Sequence, residues 1–239
     1  MFDRTVFQSE TRGNPLAQRR PIQVEAVQEL PAVPVLPQTL LCLDIIVQKP
    51  CVDLRELSEL VLSDLGATLQ VLRLAGREHA HSEGRFMRME DCISHLGLDA
   101  CMEAILEQTA PRDSRRHAIA ESWAHARDVA QYAKMMAEEM VYISGEEAYL
   151  AGLLHGIGFL PALLGWNGFA VSDAALTGLR LAKRWSLPHC VTEFFGELQM
   201  TGYSTRWLGI VRKAHQSANK PTAHCLFEQG VRLQVLRHG

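Results

Sequence analysis

Apolar residues recur at intervals of three and four along most of the chain after residue 37, and this periodicity is the feature that most restricts the fold. The longest example is "DSRRHAIAESWAHARDVAQYAKMMAEEM", where Trp123, Ala126, Ala130, Ala133 and Ala137 share one face. This spacing is typical of amphipathic α-helices, and no stretch shows the polar-apolar alternation of a half-buried strand. We therefore predict an all-α fold, a multi-helix bundle with this segment as its central helix.

Local start and stop signals divide the rest of the pattern into shorter helices. The three prolines of "LPAVPVLP" predict an extended lead-in, because proline lacks a backbone donor and disfavours helix in the preceding residue. Asp53 with Glu56, and Ser144 with Glu147, have the spacing of capping boxes at helix N-termini. Gly97 predicts a break between two short helices, "MEDCISHL" and "LDACMEAILEQT".

These signals predict one helical domain over residues 27–221. Residues 1–26 mix charge, glycine and proline without periodicity, so we expect a flexible N-terminal extension there. Residues 222–239 are predicted to form a C-terminal tail.

Composition restricts the kinds of partner. With 24 basic and 27 acidic residues, the net charge of −3 provides no large field that would attract nucleic acid or an anionic membrane. No apolar run is expected to reach the roughly 20 residues of a spanning helix, since the longest candidate, residues 150–166, is interrupted by His155, four glycines and Pro161. Six cysteines without a CxxC pair, and no signal peptide, predict reduced thiols in a cytoplasmic protein.

The segment "AYLAGLLHGIGFL" contains the residues with the clearest chemical interest. It places His155 and Gly156 inside an apolar run that we predict to be helical. A histidine in such a setting is either a metal ligand or a hydrogen-bonded core imidazole. Gly152 and Gly158 are predicted to allow close packing or to end the helix, since no phosphate-binding loop pattern surrounds them.

Several landmarks, taken in order, resemble the HDOD domain family, a regulatory relative of the HD metal-dependent phosphohydrolases. They are the lead-in at 30–40, "LRELSELVLSDLGATLQVLRLAG", "CISHLG", "ESWAHARDVAQYAKMMAEE" and "AYLAGLLHGIGFLPAL". The resemblance covers residues 30–220 and implies an HD-like multi-helix bundle. The chain departs from the family pattern where Leu65 follows Asp64 in place of proline, and where Gly76 replaces a common asparagine.

The same resemblance identifies a candidate site. It places His125 at the first metal-binding histidine, His155 and Gly156 at the His-Asp pair, and His215 at a distant aspartate. Both carboxylates that would neutralise and bridge hard divalent cations are then absent. We interpret these four residues as a vestigial site without a catalytic residue, and we expect no metal or other cofactor. Three imidazoles would still suit a single Zn²⁺, Fe²⁺ or Ni²⁺ ion.

The resemblance implies a non-catalytic regulatory module of bacterial-type signal transduction. We expect it to recognise a signalling protein in trans, or a nucleotide-like small molecule, through a groove left by the degenerate site. The alternative is a divergent metal-dependent phosphohydrolase, a phosphodiesterase or phosphatase, that uses His125, His155 and His215.

A basic cluster of Arg112, Arg115 and Arg116 precedes the central helix. We predict a solvated face there, with contact to an anion or a partner as the alternative. No recognised motif supports binding of nucleic acid.

Overall fold

Helices account for all regular secondary structure in the ranges that the computed structural model describes, which are residues 32–78, 88–106, 113–166, 173–200 and 206–218. The all-α prediction is confirmed. The predicted extension at 1–26 and the tail at 222–239 lie outside these ranges. In chain order the helices are α1 (Pro37–Val47), α2 (Leu54–Leu62), α3 (Leu65–Glu78), α4 (Met89–Leu96), α5 (Leu98–Leu106), α6 (Asp113–Glu138), α7 (Gly145–Leu153), α8 (Leu160–Leu164), α9 (Ala174–Arg184), α10 (His189–Gln199) and α11 (Arg206–Ser217).

The proline-rich lead-in is extended up to residue 36, as predicted, and Pro37 opens α1. Proline suits the first turn of a helix, where its missing N–H has no intrahelical partner to lose. Val33 and Val35 are fully buried, and Gln70 Nε2 donates to the Val33 carbonyl at 3.3 Å. The lead-in is therefore part of the core.

A single carboxylate, Asp64, joins the lead-in, α1, α3 and α6. Asp64 is fully buried immediately before α3. Its Oδ2 accepts hydrogen bonds from Leu36 N and Thr39 Oγ1, both at 2.8 Å, and its Oδ1 accepts from Ala67 N and Trp123 Nε1, both at 3.1 Å. Burial raises the pKa of the Asp64 carboxyl, while the hydrogen bonds from Leu36, Thr39 and Ala67 act to lower it. The side chain satisfies buried donors from four different segments.

Small residues allow α7 to lie close against α6. A Cβ on Gly152 would stand 2.8 Å from Cα of Ala130 and 3.1 Å from Cβ of Ala133, closer than carbon atoms pack. Ala130 and Ala133, like Ala126 and Ala137, are buried on the face of α6 that the sequence pattern predicted. The prediction that Gly152 serves close packing is confirmed.

The apolar segment around His155 is not one helix. The helix α7 ends at Leu153, residues 154–156 form a turn, and a 3-10 turn at Ile157–Phe159 leads into α8. The imidazole of His155 explains the break, because its Nδ1 contacts the Gly152 carbonyl oxygen at 2.6 Å. In a continuous helix that oxygen accepts from the backbone N–H of residue 156. The side chain thus competes with the backbone for the same acceptor.

Both predicted helix starts are confirmed, although the first is not a complete capping box. Asp53 caps α2 by accepting from a backbone N–H in its first turn, whereas the Glu56 carboxylate pairs with Lys49 Nζ at 2.6 Å. Ser144 Oγ accepts from Glu147 N at 3.4 Å at the start of α7. Gly97 separates α4 from α5 with φ of 83°, a value that favours glycine.

One segment, Gly145–Leu164, has the length and apolar composition of a membrane-spanning helix. The sequence-based expectation that no run reaches this length was therefore wrong. However, 67% of its apolar 18-residue stretch is buried inside the protein, and the turn at 154–156 interrupts the segment. Its apolar character is accounted for by its place in the core.

We expect Asp64→Asn to lower the free energy of unfolding by about 3 kcal/mol, because its NH₂ group would face buried N–H and O–H donors. Chemical denaturation followed by circular dichroism measures the loss. Asp53→Asn is the matched control, since Asp53 is an exposed N-cap at which asparagine is equally favourable. A loss in Asp64→Asn no larger than that in Asp53→Asn would contradict the structural role assigned to Asp64.

Candidate functional site

Three histidines from separate elements meet inside the bundle. His125 lies in α6, His155 in the turn after α7, and His215 near the C-terminus of α11. The ring centroids of His125 and His215 are 4.7 Å apart, and each is 5.6 Å from the His155 centroid. One ring nitrogen from each histidine lies within 4.8 Å of the other two. We call this set the histidine cluster, and it unites the three histidines singled out in the sequence.

The cluster is largely closed to solvent. His125 is 6% exposed and His155 is 4% exposed, whereas His215 is half-buried. Because a carbonyl oxygen only accepts, the 2.6 Å contact with Gly152 O assigns the proton of His155 to Nδ1. The lone pair of His155 is then on Nε2.

Burial keeps the imidazoles of His155 and His215 neutral. It lowers the pKa of His155 to about 3, with a further lowering by His125 and His215 and an opposing effect of the Gly152 carbonyl. Burial, followed by the proximity of His125, lowers the pKa of His215 to about 4. Both rings are therefore uncharged at neutral pH.

Gly156 is not required by the backbone or by lack of space. Its φ of −93° and ψ of 1° are accessible to other residues, and a Cβ there would have no heavy atom within 4 Å. The fold would accommodate the aspartate of a His-Asp pair at this position. The missing carboxylate is thus a feature of this sequence and not a consequence of its packing.

The donor set does not fit a pair of Mg²⁺ or Mn²⁺ ions. Hard cations of this kind prefer oxygen ligands. No aspartate or glutamate from the described ranges joins the histidine cluster. Three imidazoles instead match the ligands of a single Zn²⁺, Fe²⁺ or Ni²⁺ ion.

One residue of the basic cluster before the central helix, Arg115, has a structural role. Arg115 Nη1 donates to the Leu163 carbonyl at 3.1 Å, near the C-terminus of α8, where carbonyls lack intrahelical partners. Arg115 and Arg116 are both exposed. Arg112 lies outside the described residues, and the predicted anion or partner contact of this cluster stays a prediction.

A groove with a volume of about 990 Å³ opens on another side of the bundle. Its wall includes Arg55 of α2, three residues of α6 and Tyr149 of α7. The α6 residues are Arg127, Gln131 and Lys134, which share one face of the helix at intervals of four and three. We call this the α2–α6–α7 groove. No member of the histidine cluster lines it.

The sequence reasoning missed the groove residues on α6. Arg127 and Lys134 form no ion pair with any other residue that the structure describes. The signal was the seven-residue spacing of Arg127 and Lys134 along one side of the central helix, beside the alanine stripe.

Comparisons with known proteins agree with this architecture. The sequence matches the family model of the HDOD domain over residues 33–165, more than half of the chain. None of the curated proteins matches it significantly.

Two crystal structures of the MmoQ response regulator from Methylococcus capsulatus have a similar backbone. The first is 18% identical, with a TM-score of 0.66, and the match covers 82% of this chain and 89% of that chain. The second, of the fragment 20–298, is 16% identical, with a TM-score of 0.58, and the match covers 87% and 91%. At these identities the similarity shows the fold, and the predicted HD-like helical bundle is confirmed.

We expect the protein to lose stability as the pH falls from 7 to 5, because the unfolded chain protonates its histidines near pH 6.5 while folded His155 resists protonation until about pH 3. The free energy of unfolding contributed by His155 is complete above pH 6.5 and falls by about 2 kcal/mol between pH 7 and 5. Denaturant titrations at several pH values, with a chelator present, measure how the free energy of unfolding changes with pH.

His155→Gln should flatten the pH dependence relative to wild type. His117→Gln is the control, because the His117 side chain is 89% exposed and its removal leaves the buried rings intact. Equal slopes for wild type and His155→Gln would contradict a neutral, buried His155.

Proposed function

Given that this chain belongs to the HDOD domain family, we propose that it is a non-catalytic signal-transduction module that regulates a protein partner in trans. The composition of the histidine cluster carries the proposal. The fold brings the three histidines together, and the resemblance assigns Gly156 and His215 to positions where an HD phosphohydrolase would have carboxylates. The helices that position the site are present, but the two positions lack the carboxylates that metal-dependent phosphate hydrolysis requires.

Charge explains why those two positions matter. A metal-dependent phosphohydrolase polarises the phosphoryl group and activates water with hard divalent cations, and carboxylates compensate the cation charge and bridge the ions. Glycine supplies no ligand atom, and a neutral imidazole supplies no charge. The divergent phosphohydrolase alternative would have to work with nitrogen ligands alone.

Burial argues that a partner contacts another surface. His125 and His155 are almost inaccessible, so the histidine cluster has no room for a peptide or a nucleotide. The α2–α6–α7 groove is open, and its volume of about 990 Å³ is sufficient for several side chains. We assign partner recognition to this groove and no longer to the space at the degenerate site.

Four acidic and four basic side chains line the groove, and within it the two cations of α6 favour an acidic segment of a partner protein. Arg55 and Arg88 are already paired, with Glu59 at 3.1 Å and with Glu90 at 3.0 Å respectively. Arg127 and Lys134 project from one face of α6 without such a partner in the described ranges. Carboxylates of a bound segment would form ion pairs with Arg127 and Lys134. The desolvation cost would be small, because both cations stay near solvent.

Two further observations agree with a regulatory module of the cytoplasm. The structural relative from Methylococcus capsulatus is named a response regulator. Cys42 and Cys51 are free and exposed, and exposed thiols persist best in a reducing compartment.

The non-catalytic assignment predicts that carboxylates restored at the two positions will change the metal preference. We expect wild type to hydrolyse neither p-nitrophenyl phosphate nor bis(p-nitrophenyl) phosphate with Mg²⁺, Mn²⁺ or Zn²⁺. We expect the variant Gly156→Asp/His215→Asp to gain a Mn²⁺-dependent rise in Tm that wild type lacks, because the new oxygens suit a hard cation.

Gly196→Asp is the matched control for this variant. A Cβ at Gly196 also meets no heavy atom within 4 Å, and the added charge lies on α10, which contributes no residue to the histidine cluster. It should show no response to Mn²⁺. Turnover by wild type that disappears in His155→Ala would overturn the non-catalytic proposal and support the phosphohydrolase.

Charge reversal in the groove tests the site of partner recognition. We expect Arg127→Glu/Lys134→Glu to reduce capture of partner proteins from the native cell extract at least tenfold, measured by quantitative mass spectrometry, because the variant repels an acidic segment. Arg180→Glu/Lys183→Glu makes the same charge change on exposed positions of α9 and should capture as wild type does.

Equal capture by wild type and both variants would contradict recognition at the groove. A shift in Tm on addition of cyclic dinucleotides or ATP, lost in Arg127→Glu/Lys134→Glu, would identify a nucleotide-like ligand in place of a protein.

A further inference from the structure

We propose that the histidine cluster binds one borderline divalent cation of the first transition row, with Zn²⁺ as the reference ion. This departs from the sequence-based expectation that no metal binds, and it does not rest on the regulatory function proposed above. Three features of the cluster carry it, namely the spacing of the imidazoles, the orientation of His155 and the chemical class of the ligands.

The spacing is close to that of a coordinated ion. Each pair of rings is nearly perpendicular, with interplanar angles of 69°, 77° and 76°, so the rings meet edge to face without stacking. One nitrogen from each ring lies within 4.8 Å of the other two. In a tetrahedral zinc site with Zn–N of about 2.0–2.1 Å, ligand nitrogens stand about 3.4 Å apart. An inward shift of at most about 1.4 Å therefore completes the geometry, which rotation about side-chain bonds can supply.

The orientation of His155 is a second and independent feature. Its Nδ1–H donates to the Gly152 carbonyl at 2.6 Å, which places the lone pair of the ring on Nε2. Histidines that ligate metals commonly donate their other ring nitrogen to a backbone carbonyl or a carboxylate, and this bond fixes both tautomer and orientation. His155 already has that arrangement. The turn after α7 holds it there, because the backbone has given up the Gly152 acceptor to the ring.

The ligand class selects the ion. Imidazole suits Zn²⁺, Ni²⁺ and Fe²⁺, whereas Mg²⁺, Ca²⁺ and Mn²⁺ prefer oxygen. Three histidine ligands leave a fourth position for water or a small anion, as in open zinc sites. His215 is half-buried, so the cluster is most exposed to solvent on the side of α11. A bound ion would link α6, the turn after α7 and α11 by coordination bonds.

Metal titration of the untagged, full-length protein tests the proposal. After removal of metals by chelation, we expect one equivalent of Zn²⁺ to bind by calorimetry and Mg²⁺ to show no binding. At a free Zn²⁺ concentration 100-fold above Kd, Tm should rise by roughly 5–10 °C. Co²⁺ should bind with the intense visible absorption of a four-coordinate ion, a signature that a loosely bound surface ion lacks.

Two sets of variants locate the ion. His215→Gln changes a half-buried position and His155→Gln a buried one, and each should lower the affinity for Zn²⁺ at least tenfold and abolish the Co²⁺ spectrum. The surface control is His117→Gln/His189→Gln, which removes both exposed histidines that face a glutamate one turn away, and it should bind as wild type does.

Circular dichroism establishes that each variant is folded. If His155→Gln does not fold, the half-buried His215→Gln and the Co²⁺ spectrum of wild type still decide the question. Failure of wild type to bind Zn²⁺ would overturn the proposal. Binding that survives in both cluster variants, or that is lost in the surface control, would also overturn it. Because no turnover is measured, none of these outcomes bears on the absence of catalysis or on the partner groove.

Discussion

A fully buried carboxylate sets the position of the central helix. Asp64 accepts four hydrogen bonds, and their donors come from the lead-in, α1, α3 and α6. A buried carboxylate of this kind is costly unless its oxygens accept hydrogen bonds from several donors. The four segments that supply these donors must therefore pack around Asp64 at the same time. The bond from Trp123 Nε1 is the one that reaches α6, across 59 residues of sequence. The register of α6 against the N-terminal helices follows from this contact.

The helix α6 carries that register over to the histidine cluster. Trp123 and His125 are two residues apart and therefore lie on nearly opposite faces of the helix. Trp123 is fixed by Asp64, while His125 meets the rings of His155, in the turn after α7, and of His215 in α11. The contact of Gly152 with Ala130 then sets the distance of α7, and with it the turn that holds His155. The cluster is the end of a series of packing constraints that begins at a buried carboxylate far from it in sequence.

Sequence reasoning predicted those features whose cause is local. Helical spacing, the Asp53 cap and the Gly97 break each depend on a few adjacent residues, and the structure contains them as expected. The break at residues 154–156 was not predicted, because apolar residues continue through it and its cause is a side chain that competes for a backbone acceptor. The predicted capping role of Glu56 was wrong for a similar reason. Glu56 pairs with Lys49, which is near in space but is not part of the capping pattern. The cluster was predicted by resemblance and the groove was not, because the groove has no motif and exists only when α2, α6 and α7 are assembled.

A buried carboxylate and a buried imidazole respond differently when hard cations are lost. An unpaired carboxylate inside the bundle would cost several kcal/mol, and Asp64 is tolerated only because donors surround it. An imidazole avoids that cost by releasing its proton, as the lowered pKa values of about 3 for His155 and about 4 for His215 indicate. Under the proposed non-catalytic function, a site without Mg²⁺ or Mn²⁺ would therefore be more stable with glycine and histidine at positions 156 and 215 than with aspartates. The neutral ligands that remain are also those that a borderline cation prefers. The absence of carboxylates at positions 156 and 215 thus disfavours a hard cation, and the three imidazoles leave a site whose chemistry is suited to Zn²⁺.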